Sequence, residues 1–332
     1  MASGFSNTKS DIMQKDSRIY VAGHTGLVGS ALLKGLESQG FRNLILRTHK
    51  ELDLTNQHDV ESFFNNEKPE FVILAAAKVG GILANQTFPA EFIHDNLAIE
   101  RNVIHGAWKS MVKRLLFFGS SCIYPRNCPQ PIREDYLLSG PLEPTNRPYA
   151  LAKIAGIEMC WAYNRQYGTK FLAVMPTNLY GPGDNYDLQN AHVVPALIRK
   201  MHEAKEKRDP KVMIWGSGNP RRELLYSEDM ADACLTLMEL QDSRLAFLFN
   251  EMTPPLVNIG YGEDLTIREL AGLIRDIVGF KGELEFDPSK PDGSPQKWLD
   301  GSKMREWGWK PKVHLQEGLI RAYEDLKSFL KT

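Results

Sequence analysis

Through the first half of the chain, short apolar runs alternate with longer stretches in which apolar positions recur every three or four residues. The runs Arg18–Ala22, Asn43–Leu46, Phe71–Ala75, Arg114–Gly119 and Phe171–Met175 predict strands. They are apolar at nearly every position, which fits strands buried on both faces. Gly29–Gln39, Asn56–Phe64, Asn96–Lys109 and Tyr149–Tyr167 predict helices, with Gly40 and Gly168 as stops. Such alternation points to an α/β fold with a doubly wound parallel sheet. After Gly181 the pattern changes. Pro, Gly, Asn and Asp become frequent and the elements shorten. Ser227–Leu240 reads as a helix and Pro255–Ile259 as a strand, and both can return to the first domain. The expected division is residues 18–180 with about 226–259, and a second, smaller α/β lobe from about 181–225 and 260–332. Residues 1–17 are polar and read as a disordered leader without a signal-peptide core.

Composition narrows the classes. Of 332 residues, 42% are hydrophobic and 24% charged, enough for a sizeable core. A net charge of −1 gives no sign of the basic face that nucleic acid requires. No apolar run approaches the roughly 20 residues of a membrane span. The cysteines Cys122, Cys128, Cys160 and Cys234 lack metal-ligand spacing, so no metal is expected, and their scarcity fits a cytoplasmic protein.

Gly23-His24-Thr25-Gly26-Leu27-Val28-Gly29 follows the first strand and opens the first helix. Glycines there let backbone approach a pyrophosphate, and a helix N-terminus favours its charge. A plain tight turn is the other reading, but the strand–turn–helix context favours a dinucleotide and a Rossmann domain. Arg47, at the end of the second strand, suits a 2′-phosphate and hence NADP (NADPH) rather than NAD, unless it is only a solvated arginine. Asp53 and Leu54 come next and can reach the adenine; Asp53 can equally cap the following helix.

Tyr149 and Lys153 stand four residues apart on a predicted helix, hence on one face. A neighbouring ammonium favours the phenolate and lowers the phenol pKa. Such a tyrosine can protonate a carbonyl oxygen while hydride reaches its carbon. Gly119, Ser120 and Ser121 end the fourth strand, where open α/β sheets bind ligands. Ser120 can bond the oxygen that Tyr149 protonates, although a serine there can also be a turn residue. Glycine turn, strand-end serine and Tyr–Lys pair in this order indicate a nicotinamide-dependent enzyme.

With these residues the chain resembles the extended short-chain dehydrogenase/reductases, most closely the GDP-L-fucose synthases. The resemblance runs through Leu74–Gly81, Gly119–Pro125, Leu142–Asn146, Tyr149–Gly156, Met175–Gly181, His192–Leu197, Trp215–Gly218 and Lys290–Gly293. It implies inversion at C3 and C5 of GDP-4-keto-6-deoxy-mannose, then reduction at C4 by NADPH. Cys122 and His192 match the family's acid–base pair; read alone they would be a buried apolar residue and a structural histidine. Phe118–Ser121 and Pro176, Thr177, Asn178 and Leu179 fall beside the nicotinamide, and Lys153 at its ribose. His192, Lys200, Trp215, Arg222 and Asp287 fall at GDP-sugar contacts, with Asp292 competing for the role of Asp287. Lobe core for Trp215, and a solvated face for Lys200 and Arg222, are the plainer readings. Thr25 and Lys200 stand where the family often has Arg. A homodimer through Asn96–Lys109 and Tyr149–Tyr167 is also implied. A reductase or epimerase of another GDP-4-keto-sugar, and a non-catalytic dinucleotide sensor, are the alternatives.

Overall fold

The structure, a computed structural model, describes residues 12–188 and 190–331. The apolar runs form β1 (Ile19–Ala22), β2 (Leu44–Ile45), β3 (Phe71–Leu74), β4 (Arg114–Phe118) and β5 (Phe171–Pro176). Between them lie α1 (Leu27–Ser38), α2 (Gln57–Glu67), α3 (Ile82–Thr87), α4 (Pro89–Lys109) and α5 (Arg147–Tyr167). The later half adds β6 (Asn178–Tyr180), α6 (Val193–Lys207), β7 (Lys211–Trp215), β8 (Arg221–Tyr226), α7 (Ser227–Glu239), α8 (Asp242–Leu245) and β9 (Leu256–Ile259). It ends with β10 (Asp264–Thr266), α9 (Ile267–Val278), β11 (Glu283–Asp287), β12 (Gln296–Lys297), α10 (Ser302–Glu306) and α11 (Leu315–Phe329).

The large sheet has the order β2-β1-β3-β4-β5-β9, and every pairing in it is parallel. Successive strand side chains point to opposite faces. Accordingly Ile19 and Val21 enter one core while Tyr20 and Ala22 enter another, and Leu116 and Phe118 part from Leu115 and Phe117. Helices α1 and α7 cover the first face; α2, α4 and α5 cover the second. Burial on both sides explains why these runs read as apolar throughout. The smaller sheet centres on β8, which pairs antiparallel with β10 and parallel with β6 and β12; β7 and β11 form a parallel pair of their own. Helices α6, α9 and α11 bury a third core against these strands.

Three local expectations are corrected. Helix α4 begins at Pro89, well before Asn96, because a proline at the first helical position lacks only an amide that would go unpaired anyway. Helix α2 is capped by Asn56, whose side chain accepts from His58 N (3.0 Å), and not by Asp53. Residues 12–17 belong to the folded part. Met13 is 4% exposed within the first core, and Ser17 Oγ accepts from Gln14 N at 2.9 Å. The remainder of the expected leader, residues 1–11, lies outside the described residues.

Candidate active site

A cleft of about 1070 Å³ opens at the carboxyl ends of β1, β3, β4 and β5 and continues onto the smaller sheet. Its floor starts at the glycine turn. A Cβ added to Gly23 (φ +84) would lie 2.7 Å from Ala76 N, and one on Gly29 would lie 1.9 Å from the Gly23 oxygen. Only glycine fits at either position. Gly26 is the N-cap of α1 and has no side chain to occupy the first amides. Thr25, Gly26, Leu27, Val28 and Gly29 all line the cleft. This backbone fits a pyrophosphate. His24 is not part of the lining; its Nδ1 is buried, with no hydrogen-bond partner among the described residues.

Arg47 reaches the cleft but is already engaged. It donates to the Glu67 carboxylate and, at 2.8 Å, to the Leu46 oxygen. Asp53 and Leu54 also line the wall. The Asp53 carboxylate accepts from Thr55 Oγ1 (2.7 Å) and Thr55 N (2.9 Å), and these bonds hold its pKa below the usual range. Phe118, Gly119, Ser120 and Ser121 extend from β4, and Pro176, Thr177, Asn178 and Leu179 from β5 into β6; all face the cavity.

The reactive groups meet at Ser120. Its Oγ accepts the Cys122 Sγ–H at 3.1 Å and is hydrogen-bonded to the Tyr149 phenol. Cys122 is 5% exposed on the short turn after β4. Tyr149 and Lys153 lie a helical turn apart on α5, with the Lys153 Nζ 5.9 Å from the Tyr149 ring centroid. The expected lowering of the phenol pKa is corrected. Burial raises it well above its ordinary value, Cys122 and Glu100 push the same way, and only the Ser120 bond opposes. The lysine is itself paired: its Nζ stands 3.1 Å from Glu100 Oε1, with both side chains buried. His192 precedes α6 and is open to the cavity. Its crowded surroundings, then the charge of Lys297, push the imidazole pKa below its usual range, which favours the neutral form.

On the opposite side Lys200, Trp215, Arg222 and Asp292 line the cleft, whereas Asp287 does not. The Asp287 carboxylate caps its own turn through Ser289 Oγ (2.6 Å) and Ser289 N (3.0 Å). Asp292, in the lining, accepts from Ser217 N (2.7 Å) and Oγ (2.8 Å). Trp215 is 51% exposed, so it is no core residue, and the ammonium groups of Lys200 and Lys290 stand 5.5 and 5.6 Å from its ring centroid. Burial lowers the Lys200 pKa and brings Arg222 down to about 10, still charged at neutral pH.

Two residues of this site escape the sequence reading. Lys297 lines the cleft from β12, paired in register with Arg222 on β8. A two-residue strand carries no period by which to place it. Glu100 had a signal: an acid at a core-facing position of α4, four residues after Asn96. Among the described residues, no carboxylate lies within ion-pair distance of Lys200, Arg222 or Lys297.

Residues 19–260 match the NAD dependent epimerase/dehydratase family. GDP-L-fucose synthase 1 of Arabidopsis thaliana is 54% identical over 324 residues, 98% of this chain and 97% of that protein. The GDP-L-fucose synthase of Escherichia coli (strain K12) is 51% identical over 310 residues, 92% of this chain and 95% of that one. Among solved structures, a GDP-mannoheptose C4 reductase from Campylobacter jejuni with NADP bound has a TM-score of 0.85 at 42% identity, covering 95% of this chain and 99% of its own.

Proposed function

The chain belongs to the NAD dependent epimerase/dehydratase family and, within it, to the GDP-L-fucose synthases, and from that premise we propose that it converts GDP-4-keto-6-deoxy-D-mannose to GDP-L-fucose with NADPH. One observation carries this reading: Ser120 Oγ accepts the Cys122 thiol while the Ser120 side chain is also hydrogen-bonded to the Tyr149 phenol oxygen. A group able to exchange protons at carbon and a group able to protonate oxygen thus converge on one point.

The glycine turn, Arg47, Asp53, Leu54, Phe118–Ser121, Lys153 and Pro176–Leu179 would hold the cofactor. When bound, NADPH supplies hydride to C4. The chain's own residues handle the protons. Carbons flanking a ketone are acidic because the carbanion delocalises onto oxygen, and inversion needs a base on one face and an acid on the other. Cys122 and His192 take these roles at C3 and C5. Ser120 and Tyr149 stabilise the charge that develops on the C4 oxygen. Tyr149, held as a neutral phenol by its burial, then gives that oxygen its proton. One oxygen site serves all three steps. Across the cleft Arg222, Lys200 and Lys297 supply positive charge for the diphosphate, and Asp292 is placed to accept from ribose hydroxyls.

The large sheet with α7 and β9 serves as cofactor domain and the smaller sheets as the sugar-nucleotide lobe. A homodimer through α4 and α5 is part of the proposal. Leu97 and Leu151 on these helices are each 39% exposed, and farther along the same two helices the Trp108, Tyr163 and Tyr167 rings pack together. So is a cytoplasmic location, which suits four free cysteines. No helix among the described residues is long and apolar enough to cross a membrane.

The test is turnover in deuterated water with NADPH and GDP-4-keto-6-deoxy-mannose. Deuterium at C3 and C5 of a GDP-L-fucose product is expected. Oxidation of NADPH without washout would leave only a reductase of GDP-4-keto-sugars, and binding without turnover a sensor. Cys122→Ser is expected to slow washout about 100-fold while leaving NADPH binding intact. Unchanged formation of GDP-L-fucose by that variant would remove Cys122 from the mechanism.

A further inference from the structure

Helix α4 reaches the active site through one stripe. Phe92, Asn96 and Glu100 recur every fourth residue and so share a face. The Phe92 ring meets the Tyr149 ring edge-on at 6.2 Å. Asn96, fully buried, clamps Lys78 by accepting from its amide and donating to its carbonyl, both at 3.0 Å. Glu100 is 1% exposed and meets Lys153, itself 1% exposed. Among the described residues, neither Glu100 oxygen has a conventional hydrogen-bond partner. A carboxylate kept for structure alone is ordinarily satisfied by several donors. Here, among the described residues, the ammonium is the one compensation.

Space for the arrangement is specifically made. A Cβ on Gly156 would fall 2.9 Å from Glu100 Oε2 and 2.5 Å from the Phe117 ring. That same ring lies 4.6 Å from the Lys153 Nζ. Lysine, carboxylate and aromatic face therefore form a closed set beneath the cleft. Of the titratable groups around Glu100, Lys153, Tyr149 and Cys160 come from α5. Cys122 comes from the turn after β4, where it bears on Tyr149. The polar and charged groups of α2 meet α4 at Arg101 and Lys109 instead.

We propose that Glu100 is a positioning residue for the reduction assigned above: its carboxylate, 3.1 Å from the Lys153 Nζ, fixes that ammonium beneath the cleft and balances its charge, so that Tyr149 meets the substrate as a proton donor. Bare of its counter-charge, the ammonium would draw the phenol toward phenolate, the form unable to give a proton. The inference rests on the proposed reaction, and the two fail separately. Absence of turnover by the parent protein counts against the reaction; the contrasts below concern Glu100 alone.

In E100Q the alkaline limb of kcat/KM for NADPH oxidation is expected to move to lower pH by about one unit or more, and in E100D to stay at the parent position despite a slower rate. A merely structural role would lower E100Q activity by one factor at every pH, and that result overturns the proposal. Should E100Q fail to fold, the comparison passes to K153M against E100Q/K153M, since pairs neutralised together are tolerated. Tyr149 ionisation, read as tyrosinate absorbance missing in matched Y149F backgrounds, should occur at higher pH in K153M than in the double variant. Coincident titrations would show that Tyr149 does not sense the Glu100 charge, and the proposal would be withdrawn.

Discussion

At the strand-end floor of the cleft the polar groups satisfy one another. Cys122 donates to Ser120, Tyr149 shares the same oxygen, and Lys153 leans on Glu100. On the facing lobe Lys200, Arg222 and Lys297 border the cavity with no carboxylate within ion-pair distance among the described residues. The floor groups hold one another in position without help from a ligand. In the proposed reaction, the lobe's cations meet charges that the ligand brings. Loss of a floor group should therefore strike the rate of chemistry, and loss of a lobe group should strike affinity.

The sharpest way to break this contrast is Tyr149→Phe. NADPH oxidation followed at 340 nm should fall roughly 100- to 10,000-fold in kcat, with the dissociation constant for the GDP-sugar little changed. Arg222→Met should do the reverse. Loss of a charged hydrogen bond to a diphosphate, about 1.5–3 kcal/mol, raises KM roughly 10- to 100-fold, while kcat stays within about threefold. A fall confined to kcat would move Arg222 to the chemical side of the cleft.

Smaller effects sharpen the comparison. Burial lowers the Lys200 pKa, so its positive charge is lost earlier than usual as pH rises. GDP-sugar affinity should weaken with rising pH in the parent and remain flatter in Lys200→Arg, as isothermal titration across the alkaline range would record. The least effect is expected from Glu67→Gln, which frees the Arg47 guanidinium from its ion pair. An exposed pair is worth about 0.2–1 kcal/mol, so NADPH should bind about two- to fivefold more tightly, with NADH unaffected.

Much of the floor was legible because its signals are local. Continuous apolar runs mark strands buried on both faces, the glycine turn sits between strand and helix, and Tyr149 and Lys153 are a helical turn apart. The lobe was harder for physical reasons. Asp287 and Asp292 both precede turn-forming residues, and only the tertiary fold turns one into the cavity and the other onto Ser289. Lys297 depends on a strand too short to show alternation. Arg47 was found as a cleft residue, but its bond to Glu67 joins elements far apart in the chain. Met13 stands beside Ile12 in an otherwise polar segment, and two adjacent apolar residues carry no periodicity to announce that Met13 joins the first core.

The short rung that sets Lys297 beside Arg222 has a practical consequence. Like charges on neighbouring strands repel; burial first, and the Arg222 charge after it, lower the Lys297 pKa. Any multivalent anion that settles between them relieves this repulsion and so favours the native lobe. The temperature at which the protein melts should accordingly depend on the buffer anion, rising in pyrophosphate relative to chloride at equal ionic strength. Handling the enzyme in plain chloride would leave this pair of cations without such a bridge.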